Sequence, residues 1–334
     1  MILGKAKNAA AIPANETNDK KKHIRKREKP QLFPIIVQIA MWIWCAAIVL
    51  LVVWAFITAM KAFTQYDFDP LGFPNIKEYP ILYPDGSEGP KGVANLFTNF
   101  IGAMQYMSKS SAAKVNGENI SFIRMMINSL LFCLGTPFFA IVTGMIFSYV
   151  LARYRQYKFV NFLFVFVILK QFIPTTENAG TSVYLLKLFK LYDKMWGWWL
   201  WCCGPLGFFY VLYASWVGLP KEYAEAAQID GAGYFTIFFR IMLPNNTAIP
   251  LVTYITSVIG HWTNYTTPIL YLPSYPSIAF VAYKFQFDNN TSAVSYVPLQ
   301  IAALLLVSLP MIIPVLIMQS KMKKLKFNVV GIKG

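Results

Sequence analysis

Apolar residues in this chain gather into six long runs separated by polar stretches. That is the pattern of helices able to cross a membrane, not of alternating strands. The first run, Pro34 to about Phe63, carries Trp42, Trp44 and Trp54 and holds Lys61 near its far end, where a lysine stem can reach along apolar surface to water. The second, Met125 to about Leu151, follows Arg124 and contains Gly135, Pro137 and Gly144, which permit close packing or bending. The third, Phe159 to about Pro174, is short and contains Lys170 and Gln171. The fourth, Met195 to about Val217, opens on Trp196, Trp198, Trp199 and Trp201, spaced as an aromatic belt at a membrane interface would be. The fifth covers about Ala248 to Leu270, and the sixth Val297 to about Met318, with Pro310 and Pro314 as bends.

Composition agrees with that pattern. Of 334 residues, 56% are hydrophobic and only 13% charged, against about 25% charged in a typical soluble domain. The net charge of +15 does not point to nucleic acid, because the positives gather at the chain ends and in short loops and no aromatic-interleaved basic stripe is present. Nineteen Lys/Arg lie before Pro34, in 153–158, in the central polar stretch and after the sixth run; eight lie in 64–121, 175–194 and 271–296. The positive-inside rule therefore predicts that both termini and the central stretch are cytoplasmic. The predicted organisation is a basic tail over 1–33, a first transmembrane helix over 34–63, a long extracytoplasmic loop over 64–121, a transmembrane core over 122–319 and a cytoplasmic tail over 320–334. The fold class expected is an all-α polytopic membrane protein with six transmembrane helices. The basic tail serves either to orient the first helix or to bind anionic headgroups.

Little in the chain suggests catalysis. Cys45, Cys133, Cys202 and Cys203 lie inside apolar runs and two histidines leave scant material for a metal site. There is no Gly-x-x-x-x-Gly-Lys-Ser/Thr loop, so ATP is not bound by a P-loop in this chain. Lys170 either snorkels or pairs with Glu177, or it lines a pore. Trp262, Asn264 and Tyr265 combine aromatic faces with an amide, groups suited to a polyol path, and are equally open to a reading as helix packing.

The central stretch, 218–247, stands out. Pro220, Glu222 and Glu225 suit the start of a helix, Ala224, Ala226 and Ala227 favour its continuation, and Gly231 and Gly233 allow a sharp turn. A second short helix, Tyr234 to Ile241, should stop at Pro244. This is either a docking element or an ordinary helical-hairpin connection. Glu225-Ala226-Ala227, Gly231 and Ile241-Met242-Leu243-Pro244 resemble the EAA loop of permease subunits of binding-protein-dependent ABC importers. From about Asn128 onward the resemblance continues. Asn128-Ser129-Leu130 resembles the start of the transport core, and Tyr149-Val150-Leu151-Ala152-Arg153 a Tyr-Ala-Leu-Ala-Arg signature. Trp262-Thr263-Asn264-Tyr265-Thr266-Thr267-Pro268 is similar to a Trp-Asn-x-Phe-x-x-Pro segment with one residue inserted. Val329-Val330-Gly331-Ile332-Lys333-Gly334 is similar to the terminus of the second permease of maltose-type carbohydrate importers. The sequence departs from the family at Asn245 and in the length of the 64–121 loop.

The resemblance implies a non-catalytic permease subunit in a bacterial plasma or inner membrane, carrying a carbohydrate by alternating access. The alternatives are a permease for another small polar solute, a secondary transporter or a membrane enzyme. Its partners would be a second homologous permease, two ATP-binding subunits that hold the ATP and Mg, an extracellular solute-binding protein and membrane lipids. Glu225, Ala226, Ala227, Asp230, Gly231, Ile241, Leu243 and Pro244 would couple to the ATPase, and Gly331, Lys333 and Gly334 would touch it from the tail.

Overall fold

A computed structural model describes residues 32–75, 77, 79, 81, 92–110, 113–115, 117–172, 179–204, 207–287 and 297–324. The chain divides into two units, Met1–Val53 and Trp54–Gly334. The described part of the first unit belongs to helix α1 (Leu32–Ala59), a run with no acidic residue in its first turn and no basic residue in its last.

Among the described residues, three helices are long and apolar enough to cross a membrane: Phe33–Ala59, Phe122–Arg153 and Val297–Ile317. The other three apolar runs form shorter pieces. Where the third was expected, α5 (Lys158–Gln171) has 14 residues, about 21 Å at 1.5 Å per residue. The fourth divides into α7 (Met195–Trp201) and α8 (Phe209–Val217). Gly204 lies in the break with φ 139°, a conformation that favours glycine, and its N–H donates to Thr143 Oγ1 at 3.2 Å. The fifth divides into α12 (Ala248–Trp262) and α13 (Thr266–Tyr271), with Asn264 in the gap.

The second unit is built on α4 (Phe122–Arg153), the 32-residue helix whose first turn is capped by Ser121 accepting the Arg124 N–H. Helices α8 and α12 pack along it. A core joins α4 to α3 (Thr98–Lys109), α12, α14 (Ile278–Phe287) and α15 (Val297–Lys324) through Met107, Met125, Val258, Val281, Phe285 and Ala302. Ser129 links α4 to α14: its Oγ accepts the Ile278 N–H at 2.7 Å while donating to the Met125 carbonyl. The 64–121 segment is not wholly helical. After α2 (Phe63–Phe68) and α3 it holds an antiparallel pair, β1 (Lys114–Val115) and β2 (Glu118–Asn119), turned at Gly117 with φ 87°. Two-residue strands carry too little alternation to register in a hydropathy pattern. Helix α6 (Ala179–Leu188) lies between α5 and α7 along the chain, and a short 3-10 helix, Gly92–Phe97, leads into α3.

Gly135 is required where α4 meets α7. A methyl group at its Cα would lie 2.5 Å from the Trp199 ring, which stacks on Phe139 at 5.3 Å. Gly135→Val should therefore displace Trp199 and lower stability by about 1–3 kcal/mol, the usual cost of overpacking. An unchanged thermal midpoint in detergent would show that the contact is loose.

Candidate functional site

The central stretch folds as a hairpin on the ends of two core helices. Its first arm, α9 (Glu222–Ile229), starts at N-cap Lys221, so Pro220 precedes the first turn and does not occupy it. Glu222 and Glu225 lie in that turn, where the helix dipole favours their charge. The arm ends in a Schellman turn: Ala232 N–H reaches the Ala227 carbonyl at 2.9 Å across Gly231, whose φ is 78°. Gly233 does not need its freedom, since its φ is −71°.

The second arm is not the uniform helix expected. α10 (Tyr234–Thr236) widens into a π-helical stretch, Ile237–Met242, and closes as α11 (Leu243–Asn245). Pro244 lies inside that last turn and does not stop the arm before it. A proline ring strikes the carbonyl four residues earlier in an α-helix, and the wider turn just before Pro244 relieves that clash.

One face of the hairpin is buried. Ala227, Ile237, Phe238 and Met242 pack against Met145 and Tyr149 of α4 and Leu212 and Trp216 of α8. Trp216 is wholly buried, donates from Nε1 to the Met145 carbonyl at 3.2 Å, and meets the Tyr149 ring at 5.2 Å. Arg153, the last residue of α4, donates to the Leu219 carbonyl at 2.8 Å, so the hairpin's start is fastened to the helix end. Asn246 donates to Ser215 Oγ at 2.8 Å and fastens its other end to α8. Burial, and then Tyr234, push the Tyr154 phenol above its ordinary pKa.

The opposite face is open. Ala226, Glu225, Asp230 and Gly231 are exposed. The Glu225 carboxylate makes no ion pair or hydrogen bond among the described residues. Ile229 and Phe235 are 87% and 83% exposed, large apolar surfaces that no described residue covers. Beside them Tyr149, Tyr154, Tyr234, Phe235, Phe238 and Phe239 line a shallow apolar cavity of about 190 Å³. The proposed coupling residues are thus brought together, split by depth: Ala227 is buried, Ile241 and Leu243 half-buried, and Glu225, Ala226, Asp230, Gly231 and Pro244 exposed.

The other candidate residues do not converge. Trp262 is 3% exposed and donates to the Val307 carbonyl of α15 at 2.9 Å. Asn264 accepts the Thr267 N–H at 3.0 Å and so caps the start of α13. Tyr265 stacks on Tyr283 at 4.1 Å. Lys170 is half-buried in the last turn of α5 and forms no hydrogen bond with these three among the described residues. Glu177, Gly331, Lys333 and Gly334 lie outside the described residues, as do the basic N-terminal residues 1–31. Among the described residues no group of His, Cys, Asp and Glu could hold a metal ion. The Arg153 clamp and the exposed Ile229, Tyr234 and Phe235 were not anticipated; large apolar residues in an otherwise polar loop were their signal.

The described residues form a largely helical protein with long apolar helices and a hairpin docked on helix ends, open on an acidic and apolar outer face. Comparisons with known proteins agree. No family profile matches the chain. It is 32% identical over 167 residues to the arabinooligosaccharides transport system permease protein AraQ of Bacillus subtilis, covering 48% of this chain and 56% of that protein. Over 208 residues it is 25% identical to the sn-glycerol-3-phosphate transport system permease protein UgpE of Yersinia pestis, covering 62% and 73%. It is 33% identical over 105 residues to the melibiose/raffinose/stachyose import permease protein MelC of Bacillus subtilis, covering 30% and 36%. The match thus spans little more than half of the first of these relatives. In fold it is similar to a chain in the crystal structure of a bacterial ABC transporter involved in the import of the acidic polysaccharide alginate, with TM-score 0.62, 14% identity, and coverage of 88% of this chain and 96% of that one. The chain is thus similar to permease proteins of transport systems named for arabinooligosaccharides, sn-glycerol-3-phosphate and melibiose/raffinose/stachyose.

Proposed function

We propose that this chain is a transmembrane permease subunit of an ATP-driven importer for a carbohydrate, an oligosaccharide by preference, delivered by an extracellular binding protein. The single observation that carries the reading is the hairpin 218–247, anchored by Trp216, Arg153 and Asn246 and open on its Glu225 face. In this reading six spans cross the membrane, three as unbroken helices and three as shorter or divided ones. A break within a span is tolerated where neighbouring side chains satisfy the backbone, as Thr143 does for Gly204.

Both termini and the hairpin are cytoplasmic on the charge count. The hairpin docks on one of two ATP-binding subunits, which hold ATP and Mg. Closure of that pair moves the hairpin as a lever, and this chain rocks against a second homologous permease. The binding energy of the solute must differ between the outward and inward states for ATP to drive net transport. The tail residues Gly331, Lys333 and Gly334 add a second contact to the ATPase.

Relatives named for oligosaccharides and for sn-glycerol-3-phosphate both match, so another small polar solute is the second reading. An ion-driven secondary transporter would need no ATPase and would move solute without nucleotide. Purification from native membranes separates these: the account expects an ATPase and a second permease to copurify, and a chain that purifies alone and transports on an ion gradient would contradict it. Topology is tested by an impermeant thiol reagent on spheroplasts, which should label Lys77→Cys and leave Lys323→Cys unlabelled; labelling of Lys323→Cys from outside would reverse the orientation.

A further inference from the structure

The segment that follows α1 is folded inside out relative to an aqueous loop. Its large side chains point outward: Phe68 is 83% exposed, Leu71 78% and Phe73 79%. Three of its polar side chains, Lys61, Trp54 and Gln65, turn inward, while Thr64, Asp67 and Asp69 stay exposed at the level of a charged headgroup layer. Lys61 is fully buried, and its Nζ donates to the Asp69 carbonyl at 3.0 Å and the Pro70 carbonyl at 2.9 Å. Trp54 Nε1 adds a second donor to the Pro70 carbonyl at 3.3 Å. Gln65 spans the rest: Nε2 donates to the Phe73 carbonyl at 2.7 Å and Oε1 accepts the Asn75 N–H at 3.0 Å. Asn99 of α3 donates to the carbonyls of Ala59 and Lys61, closing the end of α1.

These bonds close the segment on itself, and a lysine is rarely buried to make them. In a water-poor layer they must be made internally. The surroundings name that layer. The segment directly continues an apolar helix of 28 residues, about 42 Å long at 1.5 Å per residue and so longer than a hydrocarbon core of about 30 Å. Trp54 stands near its end, where indoles mark the headgroup level.

We propose that Phe63–Phe73 is a membrane-interface anchor: Phe68, Leu71 and Phe73 insert among lipid headgroups and upper acyl chains while Lys61, Trp54 and Gln65 hold the turn closed. The occupant of this apolar face is lipid, not the binding protein or the second permease. The inference rests on α1 spanning the membrane, which Cys45, exposed within α1, reports independently.

The test uses the full importer in nanodiscs. A bimane probe is placed at Leu71→Cys in a Cys45→Ser background, at Lys77→Cys in the same background, and at Cys45 of the unaltered chain. Quenching lipids carry a nitroxide at the headgroup or upper chain, and iodide reports water. Lipid quenching at residue 71 should exceed that at residue 77 several-fold, with iodide showing the reverse order. Adding Lys61→Met should erase that difference by releasing the turn. Iodide quenching at 71 equal to that at 77, without lipid quenching, would overturn the anchor and leave a hydrated loop. Protection of residue 71 from both quenchers would also overturn it and identify a protein partner. Lipid quenching at Cys45 in either case keeps the span and rejects only the anchor; its absence rejects the span.

Discussion

Gly231→Pro and Glu225→Ala are each expected to abolish substrate-stimulated ATP hydrolysis while leaving this chain in the membrane. The two act differently. At Gly231 the backbone has φ 78° and its N–H reaches the Gln228 carbonyl at 3.0 Å. Proline fixes φ near −65° and has no N–H, so the Schellman turn cannot form and the two arms lose their angle. Glu225 is exposed and has no partner among the described residues, so its removal costs the fold little. On the proposed docking, what it loses is a charged contact with an ATP-binding subunit, worth about 1.5–3 kcal/mol when hydrogen-bonded, or about tenfold or more in an equilibrium. Basal ATPase activity and membrane yield are the controls. Normal coupling in Glu225→Ala would remove the docking role from the open face.

Trp216→Ala should have the second-largest effect, and through stability. The side chain is wholly buried between α4, α8 and the π-helical arm, and truncating it leaves a cavity and removes one of the donors to the Met145 carbonyl, which Ser148 Oγ also reaches at 3.1 Å. Buried Trp-to-Ala changes cost about 3–5 kcal/mol. The thermal midpoint of the complex should fall, and transport per ATP hydrolysed should fall with it, since a lever needs a rigid seat. Trp216→Phe keeps most of the packing and loses only the indole donor, so it should recover most of the coupling. A Trp216→Ala protein that is as stable and as well coupled as the original would mean that the hairpin moves independently of α4 and α8.

How much of this was legible in the sequence depended on the kind of signal. α1, α4 and α15 were readable because each is an unbroken apolar run long enough to span. The hairpin was readable because its acids, alanines and Gly231 occupy the positions that helix dipoles and Schellman turns require. Continuity was not readable. Hydropathy averaged over the fourth run hides the break at Gly204, although Gly204, Pro205 and Gly207 in close succession were a turn signal that the apolar average outweighed. The π-helical stretch leaves no mark in composition, because it changes hydrogen-bond register and not side-chain type. Trp262 drew attention as an aromatic beside an amide; its burial and its bond to Val307 depend on α15, 45 residues away, which local pattern cannot show. The inward-facing polar groups around Lys61 escaped for the same reason, since a lysine at a helix end reads as snorkelling until its carbonyl partners are seen.

The central claim, that the open face of the hairpin is the mechanical joint to an ATPase, is tested most directly by a crosslink. Ala226 is exposed on α9 beside Glu225, so Ala226→Cys in the purified importer should crosslink to an ATP-binding subunit. Treatment with a short thiol crosslinker should stop substrate-stimulated hydrolysis, and reduction, if the linker is cleavable, should restore it. Absence of any ATPase crosslink in a complex that still transports, or full coupled activity with the crosslink in place, would contradict the account.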